Sequence, residues 1–64
     1  MKINEIKKAV SEGKNVFWRN EGYVVIKDKN NEYLIVATFN GNAIGLTNAK
    51  GDILNGQENE FYIK

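Results

Sequence analysis

The side chains able to do chemistry are few. The chain has no His and no Cys, so it lacks an imidazole base, an imidazole or thiolate ligand, and any disulfide. Acid–base work by carboxylates needs a pair whose surroundings set their proton affinities apart. Glu21 and Glu32 fall in separate turns, and Glu58 and Glu60 flank Asn59 near the C-terminal end. All four read as exposed carboxylates without a partner. Ser11 has no His to activate it. Asp28-Lys-Asn30-Asn-Glu32 starts like a calcium loop, but that loop needs Gly at its sixth position and an acid at its twelfth. Tyr33 and Phe39 stand there instead. Glycines 41, 45, 51 and 56 have neither phosphate-loop spacing nor its Lys-Ser/Thr tail. The expectation is no enzyme, no metal and no cofactor.

What remains is recognition chemistry. Phe17, Trp18, Arg19, Tyr23, Lys27, Tyr33 and Phe39 interleave aromatic rings with cations, the make-up of a base-stacking platform. The structural account of the same residues is a core with an amphipathic rim. A net charge of +1 is far from the basic footprint of nucleic-acid binders, so nucleic acid is the weaker alternative. Lys7, Lys8 and Lys14 fit a solvated helix face.

These residues are positioned by strands. Tyr23–Asp28 and Tyr33–Phe39 are β-branched and aromatic runs around a polar turn, a hairpin signal. A three-residue loop, Lys29-Asn30-Asn31, puts Asn31 in the left-handed region, which Asn tolerates. Ile26 then faces Leu34, Val24 faces Val36, and Lys27 faces Tyr33. A second three-residue loop, Asn20-Glu21-Gly22 with Gly left-handed, sets Trp18 opposite Val24 and Val16 opposite Ile26. Both turns assign Val16, Trp18, Val24, Ile26, Leu34 and Val36 to one face, A, expected to be the core. Face B carries Phe17, Arg19, Tyr23, Val25, Lys27, Tyr33, Ile35, Ala37 and Phe39, and is expected to be the working surface.

Ahead of the strands, Ile3, Ile6, Ala9 and Val10 form one helical stripe, with Gly13 as stop. The helix is expected over about 3–12, with Asn4 able to cap a later start, and it is too short to stand undocked. Strand one is Asn15–Arg19. Asn40-Gly41 opens strand four, Ala43–Thr47, with its register open: a two-residue turn puts Ile44 and Leu46 on face B, a three-residue turn on face A. Asp52–Leu54 is at most a minor strand, and Glu60–Ile63 makes the last. The fold class is mainly β with one N-terminal helix: a bent antiparallel meander of five or six short strands over about 15–64, all in one domain of 64 residues.

The layout resembles small SH3-like barrels and β-rolls in strand number and length. The brief helix, the Tyr-Val-Val hairpin, Asn-Gly-x-x-Ile-Gly-Leu-Thr from Asn40 to Thr47 and the closing Phe61-Tyr-Ile63 are similar to short phage-encoded proteins of uncharacterised function. The resemblance spans most of the chain and implies a fold, not a ligand. Proline-binding SH3 domains set acidic loop residues beside aromatics; Glu21 and Glu32 are in loops here, but the aromatic pattern differs.

Composition supports a folded domain, with 42% hydrophobic residues and little net charge. No apolar run is long enough to span a membrane or to serve as a signal peptide, so a cytoplasmic location is expected. The functional expectation is a small non-catalytic binding or inhibitory module. It acts on another protein through face B: Phe17, Arg19, Tyr23, Val25, Lys27, Tyr33, Ile35 and Phe39. The alternatives are a nucleic-acid-binding accessory protein and a homodimer whose face has no further partner.

Overall fold

The apolar stripe of the N-terminal segment forms helix α1, Ile3–Ser11, in the computed structural model, which describes residues 1–64. Lys2, not Asn4, is the N-cap residue, and the Lys2 N–H donates to Glu5 Oε1 at 2.8 Å. Asn4 is therefore inside the first turn. At the other end Gly13 takes φ 83°. Its N–H donates to the Val10 carbonyl and that of Lys14 to the Ala9 carbonyl, which is the Schellman arrangement that satisfies the last carbonyls of a helix. Ile6 and Ala9 are the buried members of the stripe.

The rest is one antiparallel sheet of β1 (Val16–Trp18), β2 (Asn20–Lys27), β3 (Tyr33–Ala37), β4 (Ala43–Gly45) and β5 (Phe61–Ile63). Its spatial order is β4-β3-β2-β1-β5, so β4 and β5 are the edges. The chain is thus mainly β with one N-terminal helix. The expected minor strand at 52–54 is reduced to a single bridge, Thr47 to Leu54, and residues 58–60 form a 3-10 turn leading into β5.

The β2–β3 hairpin has the expected register, with Val24 opposite Val36, Ile26 opposite Leu34 and Lys27 opposite Tyr33. Asn31 is left-handed at φ 65°, and Asp28 Oδ1 accepts the Asn30 and Glu32 N–H groups. Register in β1 differs. Phe17, not Trp18, lies opposite Val24, and the pairing shifts between Phe17 and Trp18. The left-handed residue is Arg19, φ 69°, and not Gly22. An extra residue in a strand moves every side chain beyond it to the other face.

That slip, with the placement of strand four, inverts the expected faces. The core consists of Ile6, Ala9, Val16, Val25, Ile35, Leu46 and Phe61. Val25 and Ile35, expected on an exposed working surface, are 3% and 2% accessible. Both belong to the core cluster with Ile6 and Ala9 of α1 rather than to an exposed surface. Val16 is core as expected, and Trp18 packs against the core cluster. Val24, Ile26, Leu34 and Val36, expected inside, are on the outer side of the sheet, where Ile26 is exposed and the others half-buried. Strand four decides the matter: Ile35 pairs with Ile44, which puts Ile44 and Leu46 on face B, and Leu46 is fully buried there.

Candidate functional site

Face B is only partly covered by α1, and its uncovered end forms a groove. Isoleucine 35 and Ala37 are its floor, both buried. Trp18, Tyr23 and Phe39 make one wall and Ile44 the other, with Asn40 and Asn42 at the lip. The open groove has a volume of about 250 Å3. Phe39 is 66% accessible and Ile44 49%, high values for large apolar side chains, and neither has an intramolecular cover.

The wall is built from rings set edge to face. Trp18 and Tyr23 have centroids 5.3 Å apart at 77°, and Tyr23 and Phe39 5.4 Å apart at 86°. Such pairs are favoured by the ring quadrupoles. Phe61 stacks on Trp18 at 6.2 Å. The Arg19 guanidinium carbon lies 4.2 Å from the Trp18 ring centroid, a cation–π contact.

Glu60 ties this wall together. Its Oε1 accepts the Trp18 indole N–H at 3.2 Å and the Gln57 backbone N–H at 2.9 Å. Its Oε2 accepts from Arg19 Nε at 3.0 Å, and the Glu60 carbonyl accepts the Arg19 backbone N–H. The Gln57 N–H is the largest influence and holds the Glu60 carboxyl below its ordinary value; desolvation, next in size, opposes it, and the Arg19 and Trp18 contacts add to the lowering. The sequence suggested an unpartnered carboxylate; the fold gives it three donors. Because the surrounding contacts fix both its side chain and its N–H, Arg19 can sustain a backbone conformation unusual for a long side chain.

Of the side chains expected to act together, the groove gathers Tyr23, Ile35 and Phe39, with Arg19 behind Trp18. Lys27 and Tyr33 pair at the far end of the same hairpin. There Lys7 and Lys27 approach the Tyr33 ring at 5.4 and 5.7 Å, and the Tyr33 and Ser11 hydroxyls are 2.9 Å apart. Phe17 is on the opposite face, 5.7 Å from Tyr62, and Val25 is in the core. Trp18, Ile44, Asn40 and Asn42 were not expected as site residues. The Asn40-Gly41 turn left Ile44 open between the two faces, and the Ile35–Ile44 pairing decides for face B; no local signal announced the slip at Trp18.

A second cleft, about 320 Å3, lies between α1, the Asn31–Leu34 segment and the turn at 47–51. Its side chains include Lys7, Glu32 and Lys50, of mixed sign, and the Asn48 carboxamide beside it is spent on the backbone N–H groups of Gly51, Asp52 and Ile53. No cluster of three or more His, Cys, Asp or Glu side chains could hold a metal ion. No helix is long and apolar enough to cross a membrane. Compared with protein-family models, with characterised proteins and with solved structures, the chain matches none.

Proposed function

We propose that the chain is a small non-catalytic binding module that seats an apolar, uncharged segment of another protein in the Trp18–Tyr23–Phe39–Ile44 groove. The observation that carries this reading is the exposure of Phe39 and Ile44 on either side of an apolar floor. Large apolar side chains left this exposed on so small a chain fit an interface. The groove has no charged side chain in its lining, so a charged ligand would be desolvated there without compensation. Its volume of about 250 Å3 is below the roughly 300–1,000 Å3 of small-molecule pockets. It suits one or two large side chains of a peptide. The Asn40 Oδ1 accepts the Asn42 N–H at 2.9 Å, leaving the Asn40 NH2 and the Asn42 carboxamide for the peptide backbone. A cytoplasmic setting suits a chain without cysteine.

Selection from a displayed random-peptide library tests this. Enriched peptides should share a large apolar residue with no charged consensus. Phe39→Ala, with unchanged far-UV circular dichroism, should weaken their binding about tenfold or more, as loss of an interface anchor does. No enrichment, or equal binding to the folded Phe39→Ala variant, removes the proposal. Stacking of nucleobases is the alternative, favoured by Tyr23, Phe39 and the nearby Arg19. It predicts binding to single-stranded DNA or RNA that is lost as salt rises, whereas peptide binding in an uncharged groove should persist.

A further inference from the structure

The side of the sheet away from α1 is a second apolar surface, and nothing in the chain covers it. The register sets one residue from each strand in line across it: Ala43 opposite Val36, Val36 opposite Val24, Val24 opposite Phe17, and Phe17 opposite Tyr62. Leu34 and Ile26 form a shorter second row, ending on Gly45. None of these side chains belongs to the core cluster or to the partly buried groups packed on it. Neither row contains a charge until its ends are reached.

We infer that this face stacks on the same face of a second copy of the chain, sheet on sheet, as a two-fold dimer with the helices outside. Three observations select that occupant. First, strand addition is poorly served. Edge strands β4 and β5 have three residues each, and the Asn55 amide caps the β4 side by donating to the Gly45 and Thr47 carbonyls at 3.0 and 2.9 Å. Association must therefore use the face and not the edge. Second, the occupant must be broad, uncharged and matched in twist, because aligned sheets pack within about 30° of each other. The chain's own face meets that requirement.

Third, the flanking charges complement themselves. Asp28 and Glu32, joined by the Asp28 N–H to the Glu32 carbonyl, follow the second row beyond β2 and β3, while Lys64, whose N–H donates to Asn15, ends it beyond β5. A two-fold axis lying in the face along the strands puts β4 of one copy over β5 of the other. Lys64 of each copy then approaches Glu32 of the other. Its existing bond to Glu21, 3.0 Å between two exposed side chains, is weak enough to exchange.

Size sets the strength. Five strands about 4.8 Å apart span about 19 Å, and two rows of side chains make an apolar area of roughly 300 Å2. A standard interface uses about 800 Å2 per partner. The dimer is consequently weak and in fast exchange.

Analytical ultracentrifugation, with amide chemical shifts followed over the same concentrations, tests the inference. The weight-average mass should rise from monomer towards dimer as protein reaches millimolar concentration, and the shifts that move should be those of Val24, Val36 and Tyr62. Val36→Glu should raise the dissociation constant at least tenfold, while the groove variant Phe39→Ala leaves it unchanged. The inference is overturned if the wild-type chain stays monomeric, if the concentration-dependent shifts lie elsewhere, or if a folded Val36→Glu variant associates as before. Loss of association in Phe39→Ala would move the contact to the groove. The shifts of the unmodified chain decide the question even if Val36→Glu does not fold, and none of these readouts depends on a peptide ligand.

Discussion

Trp18 shows how few atoms hold the groove wall in place. Its indole is fixed by Glu60 at one end, by Phe61 on a face and by Tyr23 at an edge. Gly56 lies so close that a Cβ there would sit 2.6 Å from the indole nitrogen and 3.3 Å from the Phe61 ring. Since neither ring is a loose side-chain end, Gly56→Ala should cost about 1–3 kcal/mol, the usual cost of overpacking, and should change Trp18 fluorescence. An unchanged urea midpoint and emission spectrum would mean that the wall is soft. The Glu60 carboxylate carries a pH signature. Its carboxyl is held below the ordinary value of 4.5 in the folded chain, so the ionised form is the one that folding favours. That contribution is present above the unfolded value and fades as pH falls through the folded one. Wild type should therefore be more stable than Glu60→Gln at neutral pH, with the gap between their urea midpoints closing below pH 4.5. A gap independent of pH would assign the difference to packing.

At the scale of elements, the helix covers the sheet on the core side together with Leu46 and Leu54 of the segment after β4. Ile6 is fully buried beneath it, and Ile6→Ala should destabilise the chain by about 2–5 kcal/mol. Against a total expected for this length of roughly 3–10 kcal/mol, that is a large share; an unaltered urea midpoint would mean that α1 does not dock. The elements also separate what is written locally from what is not. The β2–β3 hairpin was legible because its own loop encodes it: Asp28 accepts two loop N–H groups and Asn31 supplies the left-handed residue. The same holds for the C-terminal end of the helix at Gly13. The β1–β2 connection was misread because the residue that turns left-handed, Arg19, is stabilised by Trp18 and by Glu60, forty-one residues away. A glycine three positions on was the better local candidate, and choosing it reversed which face is core. Tyr23, Ile35 and Phe39 could be grouped from strand alternation alone. Adding Trp18 to them required knowing the slip.

For the whole molecule, the uncovered surfaces lie on both sides of one sheet, the groove on the helix side and the apolar rows on the other. The two proposed contacts can thus be made at the same time, each copy of a dimer keeping its groove open to a peptide. The order of the strands has a different consequence, one of timing. β1 is the second strand from an edge because β5 pairs along it, Val16 with Ile63 and Trp18 with Phe61. Segments some forty-five residues apart must meet, the costly kind of contact in a short chain. As the ribosome makes the protein, β1 to β4 emerge first. Until Phe61 follows, β1 is an unpaired edge, Trp18 lacks its stacking partner and the core lacks its one buried aromatic ring. A chain not yet extended through Phe61 therefore presents β1 as an open edge, the template on which mispairing and aggregation start.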